Sequence, residues 1–143
     1  MTTMDNDQFT QFNPYVEVAG EEYMNEKQKI HFLDILNQWK SELMHEVDRT
    51  VENMRTEQVN LPDLSDRATQ EEAFYVELRT RDRERRLIAK ITESIDKIKK
   101  DDYGFCESCG SEIGIRRLEA RPTASMCIDC KTFAEIKERQ TNL

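Results

Sequence analysis

The sequence predicts a mainly α-helical chain: a long antiparallel coiled-coil hairpin that carries a small four-cysteine finger and a C-terminal helix. Three observations point there. Residues 21–61 and 63–103 contain neither glycine nor proline and are divided by Pro62 alone. Apolar residues recur through both runs at helical spacing. All four cysteines fall within the last 40 residues, as two CxxC pairs.

The first run carries Phe32, Leu36, Trp39, Leu43, Val47, Val51 and Met54, at steps of 4, 3, 4, 4, 4 and 3. That spacing puts them on one face of a helix. The second run carries Phe74, Leu78, Leu87, Ile88, Ile91, Ile95 and Ile98, and its last four residues step 3, 4 and 3, as a heptad seam does. Two such stripes bury each other in an antiparallel pair, and arms of roughly 35 residues would be about 50 Å long. The expected organisation is an acidic, flexible or loosely docked tail over 1–24, a hairpin over 25–103 with its tip near 60–68, and a finger module over 104–143.

The tip reads Asn60-Leu61-Pro62-Asp63-Leu64-Ser65-Asp66-Arg67-Ala68. Asp63 and Asp66 suit helix capping and the positive end of a helix dipole. They also set two carboxylates at the far end of a rod. Between Leu78 and Leu87 the seam is interrupted by a charged stretch, Arg79 to Arg86. It reads as a solvated, salt-bridged face or as a docking patch.

The balance of 21 basic against 29 acidic residues gives a net charge of −8. A chain of that sign is repelled by duplex nucleic acid unless a basic patch is concentrated locally. Six of the carboxylates lie between Met1 and Glu26, where there is no Lys or Arg. No stretch is apolar enough to span a membrane. The N-terminus has neither the basic flank nor the apolar run of a secretory signal, so a cytoplasmic location is expected.

Cys106-Glu107-Ser108-Cys109 and Cys127-Ile128-Asp129-Cys130 are separated by 17 residues. Each CxxC brings two sulfurs to one metal through a tight loop. This spacing is that of a four-cysteine zinc site. In a reducing compartment such pairs bind metal rather than close disulfides. Four thiolates also suit an iron–sulfur cluster, though the spacing favours zinc. A tetrathiolate zinc has no open position, so one structural ion is expected. Gly110 suits the knuckle after the first pair, and the second pair opens a short helix, which together make a treble-clef-like zinc finger. Arg116, Arg117, Arg121 and Lys131 cluster around it. They read equally as counter-charge for the tetrathiolate or as an anion site. A nucleic-acid-binding finger using Arg116, Arg117 and Arg121 is the rival. His31 and His45 are expected on the surface of the first helix. No P-loop, nucleophile elbow or HExxH motif is present, so no enzyme is expected.

Several stretches resemble one family. They are Glu46-Val47-Asp48-Arg49-Thr50-Val51, Leu78-Arg79-Thr80-Arg81-Asp82-Arg83-Glu84-Arg85, Cys106-Glu107-Ser108-Cys109-Gly110, and the run from Ile113 to Ala124. Together they are similar to the DksA family of bacterial transcription regulators, from Gly20 to the C-terminus. Thr80, where family members can carry Asn, and the position of Pro62 before the tip turn depart from the pattern. The resemblance implies a coiled coil that enters the secondary channel of RNA polymerase. It implies regulatory tip residues at Asp63, Asp66 and Ala68, and polymerase contacts at Arg83 and Leu87. It implies a site for guanosine tetraphosphate (ppGpp), shared with polymerase, at Lys90, Arg121 and Lys131. The implied protein is a monomer without sequence-specific DNA binding that acts in the stringent response, at ribosomal RNA and amino-acid biosynthesis promoters.

Overall fold

The computed structural model describes residues 12–57 and 64–142, with side chains for 12–49, 51–52 and 67–142. Four helices follow in order: α1 (Glu26–Glu57), α2 (Leu64–Lys99), α3 (Ile115–Ala120) and α4 (Ile128–Thr141). Among the described residues the only β pairing is an isolated antiparallel bridge between Phe105 and Glu112.

α1 starts where its sequence tells it to. Asn25 caps it, its Oδ1 accepting the Gln28 amide at 2.9 Å, while Gln28 Oε1 reaches back to the Met24 amide at 2.5 Å. This reciprocal arrangement satisfies amides that a helix start leaves open. α2 ends by a Schellman turn. Asp102 N donates to Lys97 O at 2.8 Å and Asp101 N to Ile98 O at 3.2 Å, with Asp101 at φ 62°. The Asp101 carboxylate then accepts Lys29 Nζ at 2.6 Å, which ties the end of α2 to the start of α1. The two long helices are therefore antiparallel.

The core lies at this closed end. Phe32, Ile35, Leu36, Trp39 and Leu43 of α1 meet Ile91, Ile95 and Ile98 of α2, and Tyr103, Cys106, Ile113, Ile115 and Leu118 extend the same cluster. The finger is thus continuous with the base of the hairpin. The α2 seam does not stop at Ile88 as expected. It runs on at steps of 4, 3 and 4 through Glu84, Arg81 and Glu77, which are buried or half-buried. The apparent break is a heptad seam filled by charged residues.

Residues 12–24, expected as a flexible or loosely docked tail, lie as a strap across α1 and α3. Phe12 meets His31 edge-on and Tyr15 packs on it at a tilt, with ring centroids 5.9 and 5.4 Å away. Tyr15 N donates to Glu119 Oε2 at 2.6 Å, and Arg116 donates to Tyr15 O at 3.2 Å. The tail has few periodic apolar residues because it is held by hydrogen bonds and rings rather than by a helix face. His31 accordingly is half-buried under the strap, whereas His45 is exposed as expected.

α4 buries none of its side chains, and Ile128, Phe133 and Ile136 are exposed along it. No helix among the described residues is long and apolar enough to cross a membrane.

Candidate metal centre

Cys106 and Cys109 sit on a knuckle. Gly110 N returns to Cys106 O at 2.9 Å and Cys106 N to Ser111 O at 2.8 Å. Gly110 takes φ +78°, a conformation that glycine adopts without a Cβ penalty. Cys127 is the N-cap of α4, its Sγ accepting the Cys130 amide at 3.5 Å. Glu107 N donates to Ser125 O at 2.9 Å, and Arg117 Nε to Met126 O at 3.1 Å. These bonds bring the second pair onto the first.

The four Sγ atoms all lie within 4.8 Å of one another, and none is in a disulfide. Cys109 and Cys127 sulfurs are 3.7 Å apart. A regular ZnS₄ tetrahedron with Zn–S near 2.3 Å has edges of about 3.8 Å, whereas a disulfide would need about 2.05 Å. The donor set therefore fits a tetrahedral thiophilic cation. The protonation pattern agrees. Backbone amides of Cys127, Cys109 and Ser108 directed at Cys106 Sγ pull its thiol down to about 6. Cys130, crowded by the sulfurs of Cys127, Cys109 and Cys106, is pushed up to about 12. Four anions in this volume repel one another, and a divalent cation removes that conflict while releasing the protons. Bound zinc supplies folding energy and a cross-link between knuckle and α4, with no coordination position left for substrate.

Tyr23 holds the finger to the shaft. Its hydroxyl donates to Gly104 O at 2.7 Å and accepts from Gly114 N at 3.0 Å, so one side chain spans both ends of the knuckle loop. Tyr103 OH donates to Pro122 O at 2.6 Å from a buried position, and Lys97 pairs with Glu107.

Residues 28–98 match the family described as DnaK suppressor protein DksA, N-terminal domain, and residues 101–135 match the prokaryotic dksA/traR C4-type zinc finger. The chain is 62% identical over 127 residues to the RNA polymerase-binding transcription factor DksA of Escherichia coli K12, covering 89% of this chain and 84% of that one. The chain belongs to the DksA family. The Haemophilus influenzae DksA factor is 58% identical, covering 89% of this chain and 88% of its own. The solved structure of transcription factor DksA2 from Pseudomonas aeruginosa superposes with a TM-score of 0.79 at 35% identity, covering 85% of this chain and 95% of that one. Within the DksA family, then, Cys106, Cys109, Cys127 and Cys130 form a C4-type zinc finger with one structural zinc.

The other residues singled out in the sequence divide. Asp63 lies outside the described residues, as does the start of the tip turn. Asp66 falls in the first turn of α2, and Ala68 is exposed just beyond it. Arg83 is exposed and Leu87 half-buried on α2, and Lys90 is exposed one turn further on. Arg121 caps the C-terminus of α3 and is exposed, while Lys131 lies in the first turn of α4. The side chains of Lys90, Arg121 and Lys131 make no ion pair with a described residue.

The basic cluster of the finger is not one unit. Arg116 is committed to Glu119 at 2.5 Å and to the strap, and Arg117 to Met126 O. A nucleic-acid finger loses two of its three arginines to internal bonds. The arginine-rich stretch also differs from a salt-bridged face. Arg79, Arg81, Arg83, Arg85 and Arg86 make no ion pair with a described residue.

Sequence reasoning missed Tyr23, Glu84 and Glu119. Only Glu84 carried a signal, its place in the 3–4 register of Ile88, Ile91, Ile95 and Ile98.

Proposed function

We propose that this chain is a bacterial transcription regulator that binds RNA polymerase through the secondary channel and, with ppGpp, modulates open-complex stability at ribosomal RNA and amino-acid biosynthesis promoters in the stringent response. The observation that carries it is the 62% identity over 127 residues to a factor named for binding RNA polymerase. The chain works in the cytoplasm, as a monomer, by contact with polymerase rather than by chemistry or sequence-specific DNA binding.

The parts divide the work. Residues 25–103 are the rod, with Asp63, Asp66 and Ala68 at its tip to act near the polymerase active centre. Residues 104–143 are the clasp that fixes its base, and 12–24 contribute the strap. Arg83 and Leu87 contact the polymerase rim. Arg83, exposed and without an ion pair among the described residues, is available to an acidic surface. Lys90, Arg121 and Lys131 hold ppGpp between this chain and polymerase. Their uncommitted cations suit a polyphosphate, which charge-assisted hydrogen bonds recognise strongly.

In vitro transcription from a ribosomal RNA promoter, with purified polymerase, tests the reading. Added protein should lower transcript yield, and ppGpp should deepen the effect. Asp63→Asn with Asp66→Asn should abolish it while leaving polymerase binding intact. No change in output with polymerase saturated would overturn the proposal.

A further inference from the structure

The shaft does not have one packing chemistry along its length. On the base side of Leu43 and Ile91 the seam is apolar and buried. On the tip side no apolar side chain is buried among the described residues; Val47, Val51, Phe74 and Leu78 are half-exposed. The one buried residue there is a carboxylate, Glu84, at 8% exposure.

Glu84, Arg81 and Glu77 take three successive seam positions, and each buries a polar atom without a hydrogen-bond partner: Glu84 Oε2, Arg81 Nε and Glu77 Oε2. Leaving such an atom unsatisfied lowers local stability by roughly five- to a hundredfold. Burial raises the Glu84 pKa above its ordinary value, and the like charge of Glu46 on α1 raises it further, with Arg83 acting weakly against both. The helices are therefore joined at mid-shaft by an unfavourable contact, and among the described residues the buried apolar core does not extend beyond it.

We propose that the shaft consists of two cooperative blocks that meet at the Glu84 seam, the tip-side block opening independently of the zinc-clasped base. Segments with few buried apolar contacts open at lower free energy than the core they adjoin. Fraying from the tip alone would give a smooth gradient along both helices, whereas a weak mid-shaft contact gives a step. On the proposed function, such a joint lets the tip follow the wall of a cavity while the base stays fixed.

Native-state hydrogen exchange on the full zinc-loaded chain, at increasing urea, reads this directly. Amides of 47–57 and 67–83 should share one opening free energy, and those of 30–43 and 88–98 a higher one, with the step at Leu43–Val47 and Glu84–Ile88. Glu84→Leu, which continues the apolar seam, should slow exchange of the tip-side amides roughly tenfold or more and shrink the step, as apolar replacement of buried charge does elsewhere. Glu84→Gln, which keeps the shape, should act in the same direction by less. A smooth gradient, a single opening energy for both blocks, or a step unchanged in both variants would overturn the proposal. None of these readouts involves polymerase, so the result is separate from that of the transcription assay.

Discussion

Glu119 of α3 lies 3.2 Å from His31 of α1 through its Oε2 and Nε2 atoms, and the same carboxylate oxygen accepts the backbone amide of Tyr15 at 2.6 Å. One buried side chain thus joins the hairpin, the finger module and the N-terminal strap. Its second oxygen is taken by Arg116. Glu119→Ala removes the shared acceptor and leaves the Tyr15 amide without its partner. The expected outcome is a loss of roughly 1–3 kcal/mol, read by thermal unfolding. Protease cleavage between Phe12 and Met24 should become faster while the circular dichroism of α1 and α2 is kept.

Gly104 combines a left-handed backbone with a close approach to Tyr23 and Met24. It takes φ +92°, and a Cβ placed on it would come within 2.7 Å of Met24 Cε and 3.0 Å of the Tyr23 hydroxyl. Gly104→Ala would combine left-handed strain with displacement of the Tyr23 clamp. A destabilisation of roughly 1–3 kcal/mol should appear in denaturant unfolding. Tyr23→Phe, which removes only the hydroxyl and its two bonds, should reproduce part of it.

The helices and the metal ligands were legible because each leaves a local mark. A stripe such as Phe32, Leu36, Trp39 and Leu43 has a period, and CxxC has a spacing. The Glu84 seam was hidden because a charged residue at a heptad position looks like an interruption until the opposite helix is seen. Glu119 and Tyr23 were hidden for another reason. Their partners lie 104 and 91 residues away in sequence, at Tyr15 and Gly114. No periodicity records a contact of that range. The strap residues read as a flexible or loosely docked tail on the same ground, since hydrogen bonds to distant carboxylates leave no pattern in a window.

Zinc removal separates the clasp from the rod. Cys106 is buried in the same cluster as Tyr103 and Leu118, so its loss as a ligand reaches the base of the hairpin. Cys106→Ser should lower zinc content from one ion per chain to a small fraction, measured by a chromogenic chelator after denaturation. The thermal midpoint should fall, and amides of 104–131 should lose protection, while most helical signal survives because α1 and α2 close on their own apolar seam. Zinc content that stayed at one ion per chain would contradict the assignment of Cys106 as a ligand.

Glu84 also sets a pH dependence. Its pKa in the folded chain is raised, by burial and then by Glu46, with Arg83 opposing and Glu77 and Arg81 in the same seam. A raised carboxylate binds protons more readily in the folded state than in the unfolded one. Above the folded pKa the charged group penalises folding in full. That penalty is relieved as pH falls through the folded pKa toward the ordinary carboxylate value. Glu84→Gln should therefore raise the thermal midpoint at neutral pH, and its advantage over the wild type should shrink as the medium is acidified toward pH 4.5. An advantage independent of pH would place its origin in packing rather than in charge.

The arginines of α2 give the most direct test of the polymerase interface. Arg79, Arg83, Arg85 and Arg86 are exposed and make no ion pair with a described residue, in a chain whose net charge is −8. Cations that bridge internal acids add to stability, whereas the internal roles here are slight, a 3.4 Å bond from Arg86 Nε to Asp82 O and a weak offset of the Glu84 charge by Arg83, so single removals should change folding little. Arg83→Glu, which sets a like charge beside Glu84, should lower the thermal midpoint, by about 4 °C at most. It should weaken binding to polymerase by roughly tenfold or more, since reversing a charge turns attraction into repulsion at an interface. Competition binding at two salt concentrations distinguishes the causes. An electrostatic contact predicts that the gap between wild type and variant narrows as salt rises. A gap that stays constant with salt would mean that the Arg83 side chain packs against polymerase through its methylene stem instead.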